Sequence, residues 1–310
     1  MARSGVRGLL GSVVLVAACL ALPLVRPASG AVPTARADAG TAGSGGARVA
    51  FPLPPGLGAS EHAALQRSGA YGRHPVRVLI LGDSIALTLG MGLAVGSQSR
   101  YGVTVSDHAA LGCDLDPALE VFIGGATGPS TRGCDGWRAT WTSLAARERP
   151  EVVAIGLGRW EITDHFLHGR WVHIGEPEWN EHLGADLRAA VSIFRGFGAR
   201  VVLFTMPYVD PSDRQPDGLP WSEDLPSRVQ AYDALVRQVA RADPGEVSVI
   251  DLNRMLGPAG VYTASLDGVA VRWPDGIHVS TAGGELLQRQ ILPELDRIGL
   301  EDETAARSRG

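Results

Sequence analysis

Five short apolar runs punctuate the chain, at residues 76–81, 103–105, 151–156, 200–205 and 247–251. Each is rich in Val, Ile and Leu with little alternation, which is the pattern of a strand buried on both faces. Between them lie stretches whose apolar residues recur at helical spacing: Ala86 to Ser97, Trp137 to Arg147, Trp179 to Phe197 and Leu225 to Arg241. A last helical stretch, Ala282 to Ile298, follows the fifth run. Strands that alternate with helices must cross over and return in parallel, so the pattern predicts one doubly wound α/β domain with a mostly parallel five-stranded sheet. No internal repeat is visible.

The ends read differently. Arg3 and Arg7 precede an apolar stretch from Leu9 to Val25, and Ala35-Arg36-Ala37 offers a small-residue cleavage site. Residues 1–37 are therefore expected to be a secretory signal peptide or an N-terminal anchor. Val16-Ala17-Ala18-Cys19 has the form of a lipobox, a third way to hold the chain at a membrane. Residues 38–74 are read as a linker: Gly43-Ser44-Gly45-Gly46 and Pro52-Leu53-Pro54-Pro55 cannot build a core, and Glu61 to Arg67 is compatible with a short helix. The domain is placed at 75–298 and a polar tail at 299–310. The expected localisation is exported, extracellular or associated with the cell envelope.

Composition narrows the partners. The apolar fraction of 45% supports a sizeable core, and the net charge is −5. All 28 cationic side chains are Arg, spread along the chain without a dense run. A phosphate-neutralising patch is absent from this pattern, so no nucleic-acid partner is expected. Export also sets the cysteine reading. With Cys19 in the leader, Cys113 and Cys134 form an even pair in an oxidising compartment and are expected to be bonded, the alternative being two buried thiols. His165, His168 and His173 fit no common ligand spacing and are read as part of a polar loop near the cleft; no metal is expected.

Two short motifs carry candidate chemistry. Leu81-Gly82-Asp83-Ser84 closes the first apolar run, and Asp275-Gly276-Ile277-His278 lies near the end of the domain. A Ser at the carboxyl end of a parallel strand, at the start of a helix, faces free N–H groups that could hold a developing oxyanion. An Asp three residues before a His can turn its carboxylate onto one imidazole nitrogen and leave the other to take the Ser84 proton. Read singly, the Ser is a helix cap and the Asp-Gly a turn. Read together they supply nucleophile, base and orienting acid.

In this order the motifs resemble the first and last sequence blocks of the SGNH (GDSL-type) hydrolases. The resemblance implies a three-layer, flavodoxin-like α/β sandwich over about residues 75 to 298. It implies catalytic roles for Ser84, Asp275 and His278, with an acyl-enzyme and no cofactor. Gly112, in Ala109-Ala110-Leu111-Gly112-Cys113, matches the second block, whose Gly donates a backbone N–H to the oxyanion alongside that of Ser84. The third block normally reads Gly-x-Asn-Asp; here it is Gly158-Arg159-Trp160-Glu161, so the Asn donor is replaced, by Trp160 or by Arg159. With the two cysteines and the Trp-Glu pair, the order of features is similar to the SGNH domains fused to acyltransferase-3 proteins, which acylate surface polysaccharides. The expectation is an exported serine esterase hydrolysing or transferring short acyl esters, with an acyl-ester substrate on cell-envelope carbohydrate and a membrane contact only through an N-terminal anchor. The alternative is a non-catalytic carbohydrate-binding module retaining the SGNH fold.

Overall fold

The computed structural model describes residues 74–309, with side chains to residue 301. The signal, anchor and lipobox readings, the linker to residue 73 and the helix at Glu61 to Arg67 lie outside the described residues.

The five apolar runs form one all-parallel sheet: β1 (Val76–Gly82), β2 (Val103–Asp107), β5 (Val152–Gly156), β8 (Arg200–Phe204) and β9 (Val247–Ile250), in spatial order β2-β1-β5-β8-β9. α1 (Ser84–Ala94) and α8 (Thr281–Arg309) pack together, and α3 (Trp137–Glu148), α5 (Pro177–Arg195) and α6 (Pro226–Arg241) pack as a second group on the other face. The apolar stripe of α5 is Trp179, Leu183, Leu187, Ala190, Val191 and Phe194, all buried. Gln288 of α8 donates to the carbonyls of Gly92 and Val95, closing the end of α1. α8 runs past Gly299 into the segment expected as a tail.

The strand order reverses between β1 and β5, which opens a crevice at their carboxyl ends. Gly82 and Gly156 are paired there. Gly82 has φ 127°, and a Cβ on it would lie 1.7 Å from the Gly156 carbonyl oxygen, so only glycine lets the chain turn out of β1 at this point.

A second sheet was not visible in the apolar pattern. β3 (Glu120–Ile123), β4 (Ala126–Pro129), β6 (Asp164–Leu167) and β7 (Arg170–Val172) form an antiparallel sheet in the order β4-β3-β6-β7. Its inner face buries Val121, His165, Leu167 and Val172; its outer face carries Phe166 and Trp171, edge to face. His168 and Gly169, both at positive φ, make the tight turn between β6 and β7. This corrects the expectation of a polar histidine loop. His165 is a core residue stacked on Trp179, His168 sits in an exposed hairpin turn beside Glu178, and His173 follows β7. A further hairpin, β10 (Ser265–Leu266) and β11 (Val269–Ala270), precedes the Asp275–His278 loop. The short helices α2 (Ser97–Tyr101), α4 (Arg159–Ile162) and α7 (Leu252–Leu256) complete the fold. Among the described residues no helix is long and apolar enough to cross a membrane.

Candidate active site

Ser84 is the first residue of α1, directly beyond the Gly82 turn. Asp83 caps the helix: its Oδ1 accepts the Ile85 N–H at 2.8 Å and the Ala86 N–H at 3.4 Å. The Ser84 N–H is left without an acceptor among the described residues, as a helix start leaves it. Burial pushes the Asp83 carboxyl up to about 6, opposed by its backbone N–H bonds and by the nearby His278 imidazole. His278 is thus close enough to Asp83 to act on its carboxyl, although almost two hundred residues separate them in sequence.

The His278 loop is built around Asp275. Its Oδ1 accepts the N–H groups of Ile277 (2.9 Å) and His278 (3.1 Å), and its Oδ2 meets His278 Nδ1 at 2.6 Å. Burial pushes the Asp275 carboxyl up, but the His278 bond and the two N–H bonds outweigh it and hold the group below the usual carboxylate range. His278 Nε2 is buried and has no hydrogen-bond partner. The ring is therefore oriented by Asp275 at one nitrogen and open at the other. Ser84 Oγ makes no hydrogen bond to it. Gly276 is fixed by close approach: at φ 73° its Cβ would lie 2.0 Å from the Asp210 carbonyl oxygen. Arg272, almost fully buried, donates to the carbonyls of Ile277 and Tyr208 and braces the loop; burial pushes its guanidinium down to about 10.

Gly112 lies on the loop after β2. Its N–H has no acceptor among the described residues, while its carbonyl accepts the Gly133 N–H at 3.1 Å and the Thr131 hydroxyl. Cys113 and Cys134 are bonded, tying that loop to the segment before α3.

The third segment follows β5. Arg159 and Trp160 open α4, and the two are not equivalent. The Arg159 guanidinium is turned away into a buried acidic pair, with Nε 2.9 Å from Asp224 Oδ1 and a terminal nitrogen 3.7 Å from Glu223 Oε1. Trp160 is half-buried, and its indole N–H makes no hydrogen bond to a described residue. Of the two donors the sequence left open, Arg159 has its guanidinium anchored on Asp224 and Glu223, whereas Trp160 is not tied by its N–H to a described residue. Glu161 is fully buried, and its Oε2 accepts the Gly158 N–H at 3.1 Å.

The sequence profile of one family, described as Protein of unknown function (DUF459), matches residues 123–294, more than half of the chain. The chain belongs to that family. The DUF459 match takes in Cys134, Arg159 to Glu161, Asp275 and His278, and begins after Ser84 and Gly112. No curated protein matches the chain. Among solved structures it is similar to TesA (20% identity, TM-score 0.44, covering 72% of this chain and 99% of that one). It is also similar to the psychrotrophic esterase EstA from Pseudoalteromonas sp. (14%, TM-score 0.41, covering 74% and 98%). A third is the periplasmic domain of a Salmonella ser. Paratyphi A lipopolysaccharide acetyltransferase (15%, TM-score 0.45, covering 74% and 88%).

Two features outside the sequence reading adjoin this region. Asp116, His182 and Asp186 converge in metal-ligand fashion, but Arg138 is bonded to Asp186 and the hydrogen bond from His182 to Asp116 pushes the imidazole pKa up. The two acids are thus engaged by Arg138 and by the His182 ring in one closed network. A polar cavity of about 330 Å³ lies at the carboxyl ends of β8 and β9, lined by Tyr208, Gln230, Asp233 and Asn253, and includes none of Ser84, Asp275 and His278.

Proposed function

We propose that this chain is an SGNH-type serine esterase. The observation that carries the reading is the state of His278: Nδ1 is held by Asp275 at 2.6 Å and Nε2 is buried and unpaired, on a loop that reaches the Asp83–Ser84 turn. In this reading Ser84 Oγ attacks the ester carbonyl carbon as His278 Nε2 takes its proton. Negative charge develops on the carbonyl oxygen and is met by the Ser84 and Gly112 N–H groups, which are already unpaired, and by Trp160 Nε1–H. Collapse expels the alcohol, which receives the proton from His278 and leaves acylated Ser84. Water, or a sugar hydroxyl, then repeats the steps in reverse. Asp275 keeps the ring in the required tautomer and stabilises the imidazolium.

The proposed substrates are short acyl esters, on cell-envelope carbohydrate, in an exported protein. The buried disulfide supports maturation in an oxidising compartment. The test is hydrolysis of p-nitrophenyl acetate by the purified chain. Ser84→Ala and His278→Ala should each lower turnover by about a thousandfold or more without lowering the melting temperature. Turnover in folded Ser84→Ala equal to that of the parent would refute the nucleophile.

A further inference from the structure

Three carboxyl groups are buried at the candidate oxyanion region, and among the described residues no Arg is paired with any of them. Asp83 precedes Ser84, Asp114 stands two residues after Gly112, and Glu161 follows Trp160. Each acid is thus attached to one of the three proposed donors. Their bonding is unequal. Asp83 accepts two backbone N–H groups on Oδ1, and its Oδ2, like one oxygen of Glu161, is buried without a hydrogen-bond partner. Asp114 accepts the Asp116 N–H at 2.8 Å and the Ser130 hydroxyl, and its Oδ2 lies 3.6 Å from His165 Nε2. Glu161 Oε2 accepts the Gly158 N–H, and Oε1 is buried without a hydrogen-bond partner. The groups facing it are Asp83 from the turn after β1, Asp114 from the loop after β2 and the Tyr232 phenol of α6. The one cation on its own helix, Arg159, is spent on Asp224 and Glu223.

We propose that Glu161 is a positioning residue that works as a neutral acid, holding the Gly158–Trp160 turn through the Gly158 N–H while adding no negative charge where the oxyanion forms. The proposal rests on the esterase reading given above. An unpaired buried carboxylate is costly, and a proton removes that cost. Burial, then the charges of Asp114 and Asp83, push the Glu161 carboxyl well above its ordinary range. A fully buried carboxyl whose second oxygen has no partner holds its proton to higher pH than a solvated one, and ionises as the pH rises further. On ionisation a third carboxylate opposes the oxyanion, so turnover should fall on the alkaline side. Tyr232 does not supply that limb, because burial and then the charge of Glu161 push its phenol up as well.

Glu161→Gln keeps the carbonyl acceptor for Gly158 and cannot ionise. Its turnover on p-nitrophenyl acetate should stay within about threefold of the parent at neutral pH and lose the alkaline decline. Infrared spectroscopy of the same proteins reads the group directly. The parent should show the carbonyl stretch of a protonated buried carboxylic acid at neutral pH, bleaching with the midpoint of the alkaline decline, and Glu161→Gln should lack it. A band unchanged in Glu161→Gln, or a fall of tenfold or more in its neutral turnover, would overturn the proposal. If Glu161→Gln does not fold, coincidence of the bleaching with the activity limb in the parent supports the proposal and a mismatch overturns it. A parent that shows the band but hydrolyses no ester overturns the esterase reading and the oxyanion role together, leaving the neutral acid as a feature of the fold alone.

Discussion

Reducing the Cys113–Cys134 bond should cost stability without unfolding the domain. The two cysteines are 21 residues apart. The chain-entropy relation assigns a loop of that length about 3 kcal/mol. For a domain of this size each kcal/mol moves the melting temperature by roughly 2–4 °C, so the expected drop is roughly 6–12 °C. The loss stops there because the loop is also held without the bond. Gly133 N–H and the Thr131 hydroxyl still reach the Gly112 carbonyl, Trp137 N–H still donates to Cys134, and Trp137 Nε1–H still donates to Leu115. For the same reason turnover per folded molecule should fall by less than about tenfold, short of the loss of a whole oxyanion donor. The assay compares thermal melts and ester hydrolysis of the oxidised protein, the protein reduced under denaturant and refolded with reductant, and Cys113→Ala/Cys134→Ala. An unchanged melting temperature in both perturbed forms would refute the stability argument. A hundredfold loss of turnover at an unchanged fold would show that the bond, and not the hydrogen bonds, holds Gly112.

Trp160→Phe keeps most of the ring and deletes the N–H; if Trp160 is the third donor, turnover should fall at least about tenfold with little change in melting temperature, and an unchanged turnover would leave the two backbone N–H groups as the whole oxyanion hole. The melting temperature should rise as pH is lowered from about 7 to about 5. Asp83, Asp107, Asp186 and Asp233 are each pushed by burial from 3.8 to about 6, so their contribution to stability is fully present below about pH 4 and lost as pH rises through about 6. His182, raised by Asp116, acts in the same direction across neutral pH, while the lowered carboxyls of Asp251 and Asp275 lose their contribution only at lower pH. For fully buried Asp83 the shift corresponds to about 3 kcal/mol at most. A flat or opposite trend by calorimetry would contradict this balance.

The parallel sheet was legible because each of its strands is a run of apolar residues buried on both faces, a signal that survives without tertiary information. The antiparallel sheet was not, because its strands are three or four residues long and bury only one face. His165 illustrates the loss. Its neighbours Asp164 and His168 make the stretch look like polar loop, and only pairing with β3 and β7 turns His165 inward onto Trp179. At the candidate site, the turn that presents Ser84 and the Asp275–His278 bond were legible because each is local: a strand-to-helix turn in one case, an Asp three residues before a His in the other. The choice between Arg159 and Trp160 was not local. It depends on Asp224 and Glu223, more than sixty residues away, which anchor the Arg159 guanidinium. Glu161 was hidden for the same reason, since nothing in its sequence neighbours announces that two further carboxyls will be buried beside it.

The turns that present the site share one construction. Asp83, Asp114 and Asp275 each accept the backbone N–H two residues on, as Asp107 does just ahead of Gly112, and Glu161 accepts the one three residues back. Each bond closes a turn locally and fixes which N–H groups are used and which are left over. The ones left over include those of Ser84 and Gly112, the pair the esterase reading needs. In the esterase reading an N–H on a closed turn is aimed by the backbone and loses nothing when charge develops, so two of the three donors need no side-chain ordering. The same construction concentrates acids around the place where an anion must form. In the esterase reading the acids must be compensated one by one: Asp275 by His278, Asp83 by two N–H groups at a helix start, Asp114 by Ser130 beside His165, and Glu161, as proposed above, by a proton.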